Sequence, residues 1–279
     1  MILTREIPES RILVTRINRT NGRVLPDVID IRGRPHRCVD VLKDDFYAIT
    51  RIYEGPAGRF IVKASQLYPC RNFAREWIAR FLAKRELNIH NRLKHVGGVP
   101  RIVGKIGRFG FIREFVPGET LNRAEHIPDD YFDGLEKILE QVHSAGVAHI
   151  DIEKPENVLV GEDGRPHIID FQISWCPGLW VAPFRWLTRP LFRIAQREDW
   201  YHFYKHKRKL RRDLVTEEEY IRGRRTSLAI KIHRFLTRPY FFIRRRIQKR
   251  LRMGRGEDRP QERQQATGNG QQNLDNSTT

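Results

Sequence analysis

Long apolar runs are missing from this sequence, although hydrophobic residues make up 39% of its 279 residues. No stretch approaches the roughly 18 unbroken apolar residues that a membrane-spanning helix needs. The first residues, MILTREIPESRILVTRI, lack the apolar core of a secretory signal. From these absences we expect no spanning helix and no secretion, and we predict a cytoplasmic protein.

Cysteine is also scarce. Cys38, Cys70 and Cys176 lie far apart, and they form neither a metal-binding spacing nor a disulfide framework. A reducing compartment is the simpler assumption for such a chain, which agrees with the cytoplasm.

Acidic residues are rare in one part of the chain. Between residues 176 and 253, 22 Lys or Arg residues stand against 6 Asp or Glu, so this region carries most of the net charge of +18. Aromatic residues are interleaved with the arginines, as in PGLWVAPFRWLTRPLFRI. This composition favours a helix lying on an anionic bilayer, or a helical bundle with an aromatic core and a solvated basic face. Nucleic acid is a weaker expectation, because no base-reading motif is present.

The preceding 175 residues alternate short strands with helices. FYAITRIY and RFIVKA flank the turn EGPAGR and indicate a hairpin, while residues 73–96 and 131–146 have helical spacing. Residues 254–279 are polar and nearly free of large apolar groups, which predicts a disordered tail. The pattern Arg-aromatic-Leu-Thr-Arg-Pro occurs at 184–194 and again at 233–243, too few copies for a repeat protein.

Two candidate residues for phosphate chemistry lie in the first half. Lys63 ends the apolar strand FIVKAS, and Glu86 lies on the helix that follows, with Glu76 as a second acidic candidate. Phosphoryl transfer from ATP needs a cation on the phosphates, and a helix carboxylate can hold that cation in place. Each residue taken alone also fits an ordinary solvated charge.

A denser set of candidates follows the second helix. Asp151 and Asn157 lie in HIDIEKPENVLV. Asp170 is the last residue of HIID and follows the next apolar strand. Two carboxylates at the ends of paired strands, with an asparagine between them, can converge on a metal-bound phosphate. The alternative is a pair of acids that cap turns.

In this order the residues resemble the protein-kinase-like superfamily, and within it the small bacterial lipopolysaccharide kinases that act on Kdo or heptose, and related RIO-like kinases. The resemblance covers about residues 40–175. It is carried by Lys63, Glu86, the hinge-like link Glu114-Phe115-Val116, His149-Ile150-Asp151, Asn157 and Asp170-Phe171-Gln172.

The resemblance implies a bilobal α+β fold. Residues 1–37 would form an N-terminal extension, residues 38–116 a small β-rich N-lobe, and residues 117–253 a mainly helical, reduced C-lobe with basic aromatic helices from about residue 176. The tail at 254–279 would follow.

The resemblance also implies that ATP and Mg²⁺ are the cofactors. Asp151 would then be the catalytic base, with Lys154 reaching the γ-phosphate. Lys63 would bind the α- and β-phosphates, and Glu86 would hold Lys63 in place. Glu114 and Val116 would lie in the nucleotide site. Asn157 and Asp170 would be the Mg²⁺ ligands.

Several features depart from the protein-kinase pattern. No G-x-G-x-x-G precedes Lys63, since Gly55 and Gly58 fall in a hairpin turn, and no Ala-Pro-Glu follows Asp170. Ile150 replaces the arginine of His-Arg-Asp, and Gln172 replaces the glycine of Asp-Phe-Gly. These changes weaken the case for a peptide acceptor and for control by phosphorylation of an activation loop.

We therefore expect a kinase for a hydroxyl of a lipid-linked sugar, such as lipopolysaccharide core. It would act in the cytoplasm, at the inner face of the cytoplasmic membrane. An atypical serine/threonine protein kinase and a non-catalytic pseudokinase that serves as a binding module stay open. No feature of the sequence requires an obligate protein partner.

One spacing is irregular. Asn157 is the sixth residue after Asp151, where kinases place the asparagine fifth, yet counted back from Asp170 it is in step. The extra residue therefore lies near Ile152-Glu153, in a loop that tolerates insertions. An extra residue in the strand pair between Asn157 and Asp170 would have turned every later side chain to the other face of the sheet. We expect an active enzyme.

Overall fold

The protein is described here by a computed structural model covering residues 25–44, 48–65, 73–107, 110–177 and 185–223; the side chains of residues 73–76, 78, 79 and 185–187 also lie outside the description. These ranges form an N-terminal lobe built on an antiparallel sheet, and a C-terminal lobe of helices with a small sheet. The predicted bilobal α+β fold is confirmed.

The N-lobe consists of one sheet and one helix. Its strands are β1 (Val28–Ile31), β2 (Arg34–Asp44), β3 (Ala48–Gly55), β4 (Gly58–Ser65), β5 (Ile102–Ile106) and β6 (Gly110–Glu114), in the order β1-β2-β3-β4-β6-β5. Helix α1 (Phe73–Arg92) follows β4. The predicted hairpin is β3–β4, and its turn includes Gly58 at φ +102°, a value that favours glycine.

Strand β1 corrects one predicted boundary. It pairs with residues 34–37 of β2, and its Ile29 and Ile31 are buried in the N-lobe core. The sheet therefore begins before residue 38, and the predicted limit at 37/38 cuts through β2. The β1–β2 turn is formed by Arg32 and Gly33, both at positive φ, the backbone required by a two-residue hairpin. The sequence analysis missed this turn.

The C-lobe begins after the link at residues 115–117. Its elements are β7 (Gly118–Thr120), α2 (Tyr131–Ser144), β8 (Val158–Gly161), β9 (Pro166–Ile168), α3 (Arg185–Leu210) and α4 (Glu217–Arg222). The three strands form an antiparallel sheet, and α2 buries one face, including Phe132, Leu135 and Leu139, in the C-lobe core. None of the helices in the described ranges is long and apolar enough to cross a bilayer.

Helix α3 divides into two halves with different surroundings. Near its end Phe203 is fully buried in the C-lobe core, together with Tyr204. Near its start Leu191 is 53% exposed, and Arg189 and Arg193 are exposed beside it. The end of the helix is thus a core element, and the start remains available as a surface. The second Leu-Thr-Arg-Pro segment and the tail at 254–279 lie outside the described residues.

Candidate active site

Three of the predicted residues meet at the boundary between the lobes. The Nζ atom of Lys63, on β4, lies 2.9 Å from Oε1 of Glu86 on α1 and 2.8 Å from Oδ1 of Asp170 after β9. Residues 107 positions apart are thereby joined through one ammonium group. The side chain of Glu76, the second acidic candidate on α1, lies outside the description.

Burial and the ion pairs act in opposite directions on these charges. Burial disfavours the charged form of Lys63, but Glu86 and Asp170 outweigh it and raise the pKa of the ammonium. Burial would also raise the pKa of Asp170, but Lys63 holds it at about 2. Burial raises the pKa of Glu86 despite the same lysine. At neutral pH Asp170 is therefore ionised, as a metal ligand has to be.

The backbone around Asp170 is set by the β8–β9 hairpin. Val158 pairs with Ile168, and the amide of Ile169 donates to the carbonyl of Asn157 at 2.9 Å. Asn157 and Asp170 are thus held close to the same end of one strand pair. Asp170 itself adopts φ +63°, a left-handed conformation that is uncommon outside glycine.

Aromatic rings connect this hairpin to the N-lobe. The Phe171 ring packs edge-on against His149, with ring centroids 4.8 Å apart, and against His90 of α1 at 5.4 Å. His90 in turn lies 5.9 Å from Phe111 on β6. We call these four rings the inter-lobe stack. Burial, with the positive charges of Arg113 and Lys63, lowers the pKa of His90 to about 3, so this ring is neutral.

The other three predicted residues meet on the loop before β8. Oδ2 of Asp151 lies 2.6 Å from Nζ of Lys154 and 3.0 Å from Nδ2 of Asn157. Nδ2 of Asn157 also donates to the Asp151 carbonyl at 2.9 Å. A carboxylate held by two donors, with Lys154 largely exposed, has the arrangement expected of a base that orients an acceptor hydroxyl.

The irregular spacing lies inside this loop. The amide of Lys154 bonds the carbonyl of Asp151, and the amide of Asn157 bonds the carbonyl of Lys154, so two short turns share Lys154. The β8–β9 pairs that follow run without a register shift. As predicted, the irregularity lies in the loop and leaves the hairpin regular.

Asp199 on α3 is a residue that the sequence analysis missed. Its fully buried carboxylate accepts the amides of His149 at 2.7 Å and Ile150 at 2.8 Å, and it lies 3.0 Å from Nε2 of His143. The bonds to His149 and Ile150 fix the backbone just before Asp151. Ile150 adopts φ +68°, which costs a β-branched residue about 1–3 kcal/mol.

A second contact from α3 reaches the same loop. Nε2 of the buried His206 donates to the carbonyl of Ile152 at 2.8 Å, so α3 holds the loop on both sides of Asp151. One signal in the sequence pointed to this role: Glu198 and Asp199 are the two acids in the 26 residues of α3. The sequence does not separate the two, since only Asp199 is buried and Glu198 is partly exposed.

Glu114 and Val116 lie in the link between the lobes and make their contacts elsewhere. Oε2 of Glu114 accepts the amide of Arg101 at 3.2 Å, and the Glu114 amide donates to the Arg101 carbonyl. A cavity of about 880 Å³ is lined by Glu114 and Val116, but by none of the six residues around Lys63 and Asp151. The nucleotide role of these two residues stays a prediction.

The space beside the Lys63 ion pairs is small. A cavity of about 10 Å³ lies against Lys63, Glu86 and Gln172. The connection from β2 to β3, residues 45–47, lies outside the described part of the chain, and Gly55 and Gly58 belong to the β3–β4 turn as predicted. A nucleotide phosphate would take the place of Asp170 at the Lys63 ammonium.

The side chains present fit a nucleotide-bound Mg²⁺. Within the described ranges no group of three or more His, Cys, Asp or Glu side chains gathers as a metal site. Mg²⁺ retains waters and takes phosphate oxygens, so one or two protein ligands suffice. The ionised Asp170 supplies one, and the amide oxygen of Asn157 is the other candidate, because its nitrogen is occupied by Asp151.

Comparison with known proteins identifies kinases. No protein-family model matches the chain. Over 105 residues it is 32% identical to CBL-interacting protein kinase 12 of Oryza sativa subsp. japonica, covering 34% of this chain and 19% of that protein. It is also 32% identical over 103 residues to CBL-interacting serine/threonine-protein kinase 5 of Arabidopsis thaliana, covering 34% and 23%. The chain thus spans about a fifth of the length of these relatives.

Two solved structures are similar at low identity. The crystal structure of the BubR1 kinase domain has a TM-score of 0.48 and 16% identity, and covers 67% of this chain and 65% of that one. The Rio2 kinase-ADP/Mg²⁺-phosphoaspartate complex from Chaetomium thermophilum has a TM-score of 0.45 and 17% identity, with 64% and 58% covered. The curated matches, over about a third of this chain, are to protein kinases and agree with the predicted protein-kinase-like superfamily, while the lipopolysaccharide-kinase branch stays a prediction.

Proposed function

We propose that this protein is an ATP- and Mg²⁺-dependent phosphotransferase with an alcohol acceptor. The observation that carries the proposal is that six residues with the required chemistry form two joined groups. Lys63, Glu86 and Asp170 form one group, and Asp151, Lys154 and Asn157 form the other. The backbone bond between Ile169 and Asn157 connects them through the β8–β9 hairpin.

Each group has a distinct task in this proposal. Lys63 binds the nucleotide phosphates, and Glu86 keeps its ammonium in position when Asp170 turns to the metal. Mg²⁺, when bound, neutralises the charge that develops on the phosphates. Asp151 accepts the proton of the acceptor hydroxyl and orients that oxygen. Lys154, 2.6 Å from Asp151, offers its positive charge to the transferred phosphoryl group.

The direct test separates nucleotide binding from turnover. Purified protein is titrated with a fluorescent ATP analogue in Mg²⁺ or Mn²⁺, and ATP turnover is measured beside Asp151→Ala and Asp170→Ala. Asp170→Ala should lose metal-dependent binding. Asp151→Ala should bind nucleotide and lose turnover by about 10²-fold or more, the usual contribution of an acid–base group.

A matched control uses an exposed acid away from both cavities. Asp133 lies in the first turn of α2 and is exposed, so Asp133→Ala should leave binding and turnover unchanged. Wild-type protein that binds no nucleotide with either metal would overturn the kinase proposal. Binding without turnover on any acceptor would instead favour the pseudokinase alternative.

For the acceptor, we propose a hydroxyl of a lipid-linked sugar, such as lipopolysaccharide core. The supporting feature is the exposed start of α3, where Leu191 lies between Arg189 and Arg193. An exposed apolar residue flanked by cations suits an anionic bilayer surface. This proposal places the enzyme in the cytoplasm, at the inner face of the membrane.

Vesicle flotation tests this surface. We expect the protein to float with vesicles containing anionic lipid at low salt, and to float less as the salt concentration rises. The Leu191→Glu variant should float less than wild type at low salt. Exposed Leu42 on β2 provides the control variant, Leu42→Glu. Equal flotation of the two variants, or none with wild type, would contradict the membrane proposal.

A serine/threonine acceptor is the second candidate. It is favoured by the curated relatives, one of which is a serine/threonine-protein kinase. Radiolabelled ATP offered with deacylated lipopolysaccharide core in one reaction and a generic basic protein in another decides between them. Label on protein alone would replace the sugar proposal.

A further inference from the structure

Arg85 lies on α1 next to Glu86 and contacts the chain just after Asp170. Its guanidinium donates to three successive backbone carbonyls: Gln172 at 3.4 Å, Ile173 at 3.1 Å and Ser174 through a short bond. We call residues 172–175 the post-aspartate segment. Two neighbouring residues of α1 therefore act on Asp170. Glu86 bonds Lys63, which bonds the Asp170 side chain. Arg85 bonds the segment that follows Asp170.

The guanidinium is chemically suited to this contact. It carries five N–H donors in a rigid plane, always charged, so one side chain can serve several acceptors. Residues 172–174 lie outside the helices and strands, so regular secondary structure does not supply partners for their carbonyls. Arg85 supplies that satisfaction while the side chain is half-buried.

The opposite side of the same segment is fixed to the catalytic loop. Oγ of Ser174 donates to the carbonyl of His149 at 3.1 Å, and Trp175 and Ala148 exchange two backbone bonds of 2.8 Å. The post-aspartate segment is therefore held between α1 and the residues just before Asp151.

We infer that Arg85 is a positioning residue that fixes the backbone of Asp170, from which the carboxylate can turn from Lys63 to the metal. The inference rests on the proposed phosphotransferase function. By joining α1 to the post-aspartate segment, Arg85 stabilises the left-handed backbone of Asp170, although Gln172 stands where a glycine would have allowed more freedom. Contacts within the chain consequently hold the backbone of the site on both sides of the post-aspartate segment.

The test compares Arg85→Met and Arg85→Lys with Arg92→Met. Arg92 is a suitable control because it lies on the same helix and donates to a carbonyl, that of Ala145, at the far end of α2. For Arg85→Met we expect the Mg²⁺ concentration at half-maximal turnover to rise about 10-fold, the effect typical of losing an outer-shell partner of a metal ligand. ATP affinity at saturating Mg²⁺ should change much less.

The lysine variant makes the readout specific. Arg85→Lys retains the charge but loses the planar fork, so it should restore part of the Mg²⁺ affinity. Arg92→Met should match wild type. Equal Mg²⁺ dependence in Arg85→Met and Arg92→Met would overturn the inference.

Hydrogen exchange keeps the inference testable without turnover. Amides of residues 171–176 should exchange faster in Arg85→Met than in wild type, and those of α2 should not. If wild type binds no nucleotide, the proposed function fails, and exchange alone decides whether Arg85 holds the segment. Unchanged exchange at 171–176 would overturn the inference even in an active enzyme.

Discussion

Two non-glycine residues beside the candidate site, Ile150 and Asp170, have left-handed backbone. Such conformations persist only where surrounding contacts over-determine them. Asp199 accepts the amide of Ile150 itself, and the ion pair to Lys63 holds Asp170. Left-handed backbone at Asp170 and next to Asp151, with a specific contact opposing it in each case, favours the predicted site over turn-capping acids.

Asp199→Asn tests how much that support matters. The buried carboxylate accepts two backbone amides beside His143, and an asparagine would present an N–H group to at least one donor. Breaking a buried, charged network costs about 3–5 kcal/mol, so urea unfolding should show a loss of that order. Exposed Glu162→Gln should stay within about 0.5 kcal/mol of wild type. If Asp199→Asn changed the unfolding free energy as little as Glu162→Gln, Asp199 would not be the support of this loop.

His90 makes the inter-lobe stack sensitive to acid. Its pKa is about 3 in the folded protein against an ordinary 6.5, because burial and nearby Arg113 and Lys63 oppose its protonation. The unfolded chain therefore takes up a proton that the folded chain does not. The stability that the neutral ring contributes is complete above pH 6.5 and declines as pH falls towards 3, by up to about 1.4 kcal/mol per unit.

The measurement compares urea unfolding of wild type and His90→Phe at pH 7.5 and pH 5. We expect wild type to lose stability relative to the variant between these values, since phenylalanine cannot bind the proton. Parallel pH dependence in the two proteins would show that His90 does not carry this effect.

At the scale of elements, α3 supports the loop that carries Asp151. Asp199 and His206 lie on one side of the helix and bond the loop before and after Asp151. Phe203 between them fills the C-lobe core. The end of the helix therefore links the packing of the C-lobe to the position of the candidate base, while the start is exposed.

The two halves of α3 should respond differently to truncation. Phe203→Ala removes a fully buried ring and should cost about 3–5 kcal/mol in unfolding free energy. Leu191→Ala, at a position 53% exposed, should cost less than about 0.5 kcal/mol. A large loss at Leu191 would mean that the start of α3 is a core element too, which would remove the support for a bilayer surface.

At the scale of the whole molecule, the two lobes have separate cores. One hydrophobic cluster lies in the N-terminal sheet and includes Ile29 and Ile31, while the other surrounds α2 in the C-lobe. The inter-lobe stack and the Lys63 ion pairs cross between them. Movement of one lobe against the other would therefore act directly on Asp170.

Truncation tests where the N-lobe begins. A chain that starts at residue 38 lacks β1 and part of β2, and therefore the buried Ile29 and Ile31. Relative to a chain that starts at residue 25, it should melt at least 10 °C lower or fail to fold, since losing buried isoleucines costs about 2–5 kcal/mol each. Equal melting temperatures would restore the predicted boundary at residue 38.

Local sequence pattern was enough to predict the β3–β4 hairpin, helices α1 and α2, and the six candidate residues for phosphate chemistry. Strand alternation, helical spacing and the order from Lys63 to Asp170 depend on local pattern, and counting from both ends located the irregular loop. These features need no knowledge of distant contacts. The short β1–β2 turn was lost because Arg32 and Gly33 give no strong hairpin signal.

Which residues meet could be known only once the chain was folded. The tertiary structure brought Lys63 to Asp170 across 107 positions, and showed that Arg85 and Asp199 hold the backbone around the two predicted acids. It also separated the buried end of α3 from its exposed start. These outcomes depend on how α1 and α3 pack against the β8–β9 hairpin. A buried carboxylate and a solvated one have the same letter in the sequence, and only packing decides which donors surround it.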